Sequence, residues 1–190
     1  MWGSRALRAD PVTSGGEVVL SVPSGARGVG NGFRTGCGDM FRGINSVNLD
    51  AKGRMALPAR YRESLASTNG KLVVTIDSRE RCLLLYPLKE WESVQSRLEA
   101  LSNMKRSARV LQRLLIGHAT DVEVDSSGRV LLPPMLREFA GLSKKLVLLG
   151  QGNKIEIWSE ELWQPRLAEW LVERSGDVVD DGDEFTGLSV

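Results

Sequence analysis

The stretch Asn48-Leu49-Asp50-Ala51-Lys52-Gly53-Arg54-Met55-Ala56-Leu57-Pro58 returns 75 positions later as Glu123-Val124-Asp125-Ser126-Ser127-Gly128-Arg129-Val130-Leu131-Leu132-Pro133. Asp50, Gly53, Arg54 and Pro58 match Asp125, Gly128, Arg129 and Pro133 at that one offset, and Arg62 is repeated by Arg137. An internal repeat decides the architecture, so it is read before anything else. Two units are too few for a solenoid, which needs three or more. They suit a single pseudo-symmetric domain that shows the same residues twice on its outside, the layout of a symmetric reader more than of a catalyst.

Each letter of the phrase has a chemical task. Asp at the head of Asp-x-x-Gly can accept a hydrogen bond from the backbone two residues on. Gly in fourth place supplies a positive φ, and the two together fit a type I turn closed by a bulge. Residues 54–57 and 129–132 form the return strands. Pro58 and Pro133 cannot donate to a ladder but suit the first turn of a helix, so short helices are expected over 59–66 and 134–140.

Working outward, both halves read in the same order. Before the turn, residues 44–49 alternate Ile44, Val47 and Leu49 with polar neighbours, and 119–124 match them, which predicts short strands. After the short helices come strand pairs, 71–76 with 83–86 and 145–149 with 154–158. Here the offset falls to 72 (Tyr86 to Trp158, Trp91 to Trp163), so the first hairpin loop is three residues longer. Amphipathic helices close both halves, 88–101 with Trp91, Val94, Leu98 and Leu101 on one face, and 160–172. A helix over 105–116 bridges them. The repeated Trp and Tyr positions, at a strand end and a helix start, suit core packing better than a base-stacking platform.

Composition narrows the function. With 42% apolar residues the chain can bury a real core, and it has no run approaching the roughly 18 apolar residues of a membrane span. Residues 1–39 hold nine of the 20 glycines and no signal-peptide core, so they read as a disordered extension, with Met40 as the natural initiator. Cys37, Cys82 and the single His118 are too few for a disulfide framework or a zinc site, and no metal or cofactor is expected. The default compartment is the cytoplasm. The net charge of +1 averages unlike segments: residues 40–172 carry 20 basic against 15 acidic residues, whereas 173–190 carry one against six and read as a mobile acidic tail.

A surface turn keeping Asp, Gly, Arg and Pro in both copies asks more than a turn requires. Arg54 and Arg129 offer planar forks able to bond a guanine edge through O6 and N7 or to clamp a phosphate. A two-stranded ribbon is narrow enough for the major groove of B-DNA. In this reading Asp50 and Asp125 orient the arginines, Gly53 and Gly128 shape the turns, and Lys52 at the first turn tip reaches phosphate. Arg60 and Arg62 thicken the basic side, and Arg137 repeats the second of them.

At these residues the chain resembles the MraZ family. Met40-Phe41-Arg42-Gly43, then Val47-Asn48-Leu49-Asp50, Lys52-Gly53-Arg54 and Leu57-Pro58, then the second Asp-x-x-Gly-Arg-x-x-x-Pro, stand in the family's order over roughly 130 of the 190 residues, to about Trp170. The resemblance implies an α+β fold in which two SpoVT-AbrB-like halves, 40–104 and 105–172, form a pseudo-twofold swapped-hairpin β-barrel with flanking helices. It further implies a transcriptional regulator, nucleoid-associated, that assembles into a homo-oligomeric ring on double-stranded DNA. The DNA would be direct repeats upstream of the division and cell wall gene cluster. The family's Asp-x-x-x-Arg signature maps onto Asp50 and Arg54, and onto Asp125 and Arg129. Residues 1–39 and 173–190 lie outside it.

Two other classes compete. A pseudo-twofold barrel with one Asp per half could house an aspartic dyad, but an arginine four residues away holds each carboxylate ionised, the reverse of what a shared proton needs. There is no Walker loop or Gly-x-Ser-x-Gly elbow, so no catalytic residue, enzyme activity or small-molecule substrate is expected. An antitoxin-type partner binder fits one AbrB-like half with a disordered tail better than two fused halves. Leu111, Leu114 and Leu115 suit either a subunit seam or the core.

Overall fold

The computed structural model describes residues 41–65, 69–102 and 104–176. Met40, Cys37, the extension 1–39 and the acidic residues past 176 lie outside the described residues. In chain order the elements are β1 (Phe41–Asn48), β2 (Arg54–Ala56), α1 (Ala59–Leu65), β3 (Lys71–Ile76), β4 (Leu83–Pro87), α2 (Leu88–Glu99), α3 (Arg106–Leu115), β5 (Thr120–Glu123), β6 (Arg129–Leu131), α4 (Pro134–Phe139), β7 (Lys145–Gly152), β8 (Lys154–Ser159) and α5 (Glu160–Gly176). Every expected element is present, and the class is α+β. Several boundaries move outward, those of β1, β7 and α5 the furthest. β1 starts three residues early because it pairs along its whole length with β7, Phe41 opposite Gly152 through Asn48 opposite Lys145. α5 runs to Gly176 rather than ending at 172.

The strands form an antiparallel six-stranded sheet in the order β1-β7-β8-β4-β3-β5 and a separate two-stranded ribbon, β2-β6. Exchanging each strand for its repeat counterpart turns the six-strand order into its own reverse. The exchange passes through the Leu84–Glu156 pair of β4 and β8 and the Met55–Val130 pair of the ribbon. The halves therefore share one sheet, β1 and β3 both pairing with strands of the other half. The sheet is open, with β1 and β5 at its edges. Single bridges, Leu49 to Met55 and Val124 to Val130, join each edge to the ribbon, where the barrel expectation calls for continuous ladders.

Alternation along the strands explains two cores. Successive side chains point to opposite faces, so Leu72, Val74, Ile76, Leu83, Leu85, Leu146, Leu148, Ile155 and Ile157 face inward. There they meet Met55, Leu57, Val130 and Leu132 of the ribbon strands and their exits, and Tyr61, Leu65, Leu136 and Ala140 at α1 and α4. Val73, Leu84, Tyr86, Val147 and Trp158 face the other way, under Trp91 of α2 and Trp163 of α5. With both faces covered, β3, β4 and the first half of β7 read as nearly unbroken apolar runs instead of alternating ones.

The repeated aromatic positions, Tyr86, Trp91, Trp158 and Trp163, belong to the second core, as expected. Trp158 and Trp163 are buried and pack edge to face with each other and with half-buried Trp170, at centroid distances of 5.5–5.9 Å. Leu114 packs on the first core and Leu115 on the second, each partly buried. His118 places Nδ1 2.9 Å from Leu114 O, a packed residue at the end of α3. The longer β3–β4 loop has its own use. Asp77 Oδ1 accepts N–H bonds from Arg79 and Glu80, and Glu80 then forms a two-oxygen pair with Arg166 of α5.

Candidate nucleic-acid interface

The two repeated turns are built alike down to individual hydrogen bonds. Asp50 N donates to Arg54 O at 2.8 Å and Gly53 N to Asp50 O at 2.9 Å; Asp125 N to Arg129 O and Gly128 N to Asp125 O are both 2.8 Å. Asp50 Oδ1 accepts from Lys52 N and Arg54 N, each at 2.9 Å, and Asp125 Oδ1 accepts from Ser127 N and Arg129 N at the same distance. This is the side-chain mimic of a turn that makes Asp preferred there. Gly53 at φ +80° and Gly128 at φ +74° take the left-handed conformation that the sequence assigned to them.

The second carboxylate oxygen of each Asp holds its arginine. Asp50 Oδ2 accepts from Arg54 Nε at 2.8 Å and lies 2.8 Å from Nη2; Asp125 Oδ2 accepts from Arg129 Nε at 3.2 Å. One carboxylate thus shapes a turn and aims a guanidinium. The bonds it accepts favour its charged form: the backbone N–H of Arg54 first, with that residue's side chain and Lys52 N–H adding to it, hold the Asp50 carboxyl below the usual carboxylate range. The Arg129 backbone N–H does the same for Asp125. Both arginines and both aspartates keep roughly a third of their side-chain surface exposed.

The ribbon presents the pair together. β2 and β6 run antiparallel, Arg54 opposite Leu131 and Ala56 opposite Arg129, so the two turns enter one ribbon from opposite ends. The strand exits cross over as well: Leu57 N donates to Gly128 O at 3.0 Å and Leu132 N to Gly53 O at 2.9 Å. Lys52 is exposed at its turn tip. Arg60 Nη2 donates to Asn45 Oδ1 at 2.9 Å, and its guanidinium lies over the Tyr61 ring.

Arg62 and Arg137 lie over the glycines of the repeated turns. A Cβ built on Gly53 would lie 2.7 Å from Arg137 Cζ, and one built on Gly128 would lie 2.5 Å from Arg62 Cδ. Each helix arginine covers the turn glycine of the other half. Sequence reading missed this crossing and also Asn45 as the partner of Arg60, since spacing along the chain carries no signal for either.

Comparison with known proteins gives the chain its family. The family model for the MraZ protein, also described as antitoxin-like, matches twice, over residues 40–114 and 115–176. The Transcriptional regulator MraZ of Halorhodospira halophila is 57% identical over 152 residues, covering 80% of this chain and 100% of that protein. The protein of the same name from a Marinomonas species is 57% identical over 152 residues, 80% of this chain and 99% of its own. That of Coxiella burnetii is 50% identical over 152 residues, with coverage of 80% and 100%. The chain belongs to the MraZ family, whose named members are transcriptional regulators.

Proposed function

We propose that this chain is a sequence-specific regulator that binds double-stranded DNA at direct repeats upstream of the division and cell wall gene cluster. The observation that carries the reading is the duplicated arginine, each copy anchored through Nε by an aspartate that also fixes the turn. Anchoring reduces the side-chain freedom lost on binding while leaving N–H groups of the fork to meet a base edge or a phosphate. Arg54 and Arg129 are the readers, Lys52 a phosphate contact, and Arg60 a flanking contact.

Asp50 and Asp125 orient and do not catalyse: ionised carboxylates bonded to backbone and guanidinium lack the shared proton of an aspartic dyad. We read the open sheet and bridged ribbon as a swapped-hairpin AbrB-like barrel made of halves 40–104 and 105–172. In this reading residues 1–39 are an extension, 173–190 an acidic tail, and the protein acts in the cytoplasm at the nucleoid.

Assembly into a head-to-tail ring fits the unequal outer surfaces of the halves. Where the first half has Ala56 and Arg60, the second has exposed Leu131 and Met135, and Leu131 shares a surface cleft with the acidic edge residues Asp121 and Glu123. A contact of one half on the other half of a neighbour is heterologous, and a heterologous contact whose rotation closes makes a ring. Rigidly linked modules gain avidity on spaced repeats.

The test is binding of the full chain to a duplex from the upstream region of its own gene. Arg54→Ala is expected to cost about 1–3 kcal/mol at a single base position. Arg54→Ala with Arg129→Ala is expected to abolish discrimination between that duplex and scrambled DNA. Unchanged affinity in the double variant would remove the proposal.

A further inference from the structure

We propose that Arg62 and Arg137 are positioning residues that work crosswise: Arg137 of the second half sets the Arg54 turn, and Arg62 of the first half sets the Arg129 turn. The inference rests on the DNA reading above and assigns those two arginines a task other than touching DNA.

The geometry points there from three directions. First, Arg137 is fixed before it meets the turn, because its Nε donates to Leu132 O at 3.0 Å. Second, the residue that accepts this bond also reaches the turn itself, Leu132 N donating to Gly53 O at 2.9 Å. Third, the guanidinium then lies against Gly53: a Cβ there would be 2.7 Å from Cζ, 2.9 Å from Nε and 3.0 Å from Nη1. The Gly53 peptide is therefore gripped by the other half on one face and by Asp50 on its N–H. The next residue is Arg54.

At Gly128 the carbonyl bond and the covering arginine recur, while among the described residues Arg137 alone has the Nε anchor. The Gly128 carbonyl accepts from Leu57 N at 3.0 Å, and a Cβ would be 2.5 Å from Arg62 Cδ and 2.6 Å from Nη1. Such double use explains why the repeat keeps glycine in fourth place and arginine thirteen positions after the head Asp's neighbour Leu49 and Val124. A planar guanidinium lying flat on a peptide needs a residue with no side chain beneath it. A lysine can keep a charge near phosphate but offers neither the flat face nor the Nε donor.

Coupling follows from this layout. Neither reading arginine is held entirely by its own half, so a change in one half's helix is felt at the other half's turn. Residues sharing one hydrogen-bond network depart from additivity, whereas separate ones add.

The experiment measures affinity of the full chain for the same upstream duplex across a salt series, together with amide exchange of the free protein. Arg137→Gln is expected to weaken binding about 3- to 30-fold. The loss should vanish in an Arg54→Ala background and remain in an Arg129→Ala background. Arg137→Lys should behave like Arg137→Gln, with the salt dependence unaltered in both. Exchange should quicken at Gly53 and Arg54 but not at Gly128 and Arg129, and Arg62→Gln should give the opposite pattern.

A loss that persists without Arg54, is rescued by Lys and lowers the log–log salt slope by about 0.9 would mean that Arg137 contacts phosphate directly. That would overturn the proposal. Turn exchange unchanged in both Gln variants would overturn it too. Should the Arg54 and Arg129 variants bind DNA normally, the DNA reading itself falls, while the exchange pattern still decides the crosswise brace.

Discussion

Gly53→Ala tests the packing of the turn without any DNA. Two costs are expected. At φ +80° an alanine pays for a left-handed backbone, about 1–2 kcal/mol. Its Cβ would also stand 2.7 Å from Arg137 Cζ, too close for any real contact, so the guanidinium has to leave. Leaving forfeits the Nε bond to Leu132 O, a further cost of about 0.5–1.5 kcal/mol. Together these predict about 1.5–3.5 kcal/mol, or a fall in Tm of roughly 5–12 °C for a domain of this size.

Gly152→Ala is the control. Its φ is +71°, yet nothing lies within 4 Å of the Cβ it would gain, so only the backbone cost applies. The assay is thermal and urea unfolding of both variants followed by circular dichroism. A second comparison adds Arg137→Ala to Gly53→Ala, where the clash is already gone and the remaining glycine penalty should match that of Gly152→Ala. Equal losses for Gly53→Ala and Gly152→Ala with Arg137 intact would refute the reasoning, because the guanidinium would then not be lying on the turn.

The acid limb of stability should report on the turn carboxylates. Asp50 and Asp125 have folded pKa values lowered by the N–H bonds they accept, from the Arg54 and Arg129 backbone first. A depressed folded pKa contributes stability that is fully present above the unfolded value of about 3.9 and is lost as pH falls through the folded value. Stability is therefore expected to be insensitive to these groups from neutral pH down to about 5 and to drop below about 4, and Asp50→Asn with Asp125→Asn should flatten that part of the drop in urea titrations. Trp158→Ala should cost about 3–5 kcal/mol, because it empties the centre of the second core and leaves the buried Glu156 Oε2 without its indole donor; a loss below 1 kcal/mol in urea unfolding would contradict the burial. Burial, with Glu156 and Asp77 nearby, pushes the Cys82 thiol up, so alkylation of Cys82 followed by peptide mass spectrometry should be negligible until denaturant unfolds the protein.

Much of the fold was legible because its signals are local. The head Asp, the glycine and the proline dictate turn, bulge and helix start within a dozen residues, and both copies appear where the phrase places them. The alternation that separates Leu72 from Val73 and Leu83 from Leu84 reads as two buried faces once the sheet is assembled, but in the sequence it is an apolar run with no visible alternation. Boundaries moved where a partner strand lengthened an element, as β7 does for β1. The pair of Glu80 and Arg166, 86 residues apart, had only an indirect signal in the three extra loop residues. Buried Glu156, opposite Leu84 on the exchange axis and bonded to Trp158 Nε1, had none.

The doubled turn and its internal bonds were legible in the sequence alone, since an aspartate, a glycine and an arginine within five residues can satisfy one another without distant help. Only the tertiary structure decided which half supports which turn. Duplication supplies two equivalent glycines for every helix arginine, and spacing favours the nearer one: Arg62 follows Gly53 by nine positions and Gly128 lies 66 ahead. The farther one is chosen because β2 pairs with β6, which carries each strand exit, and the helix behind it, across to the other half's turn.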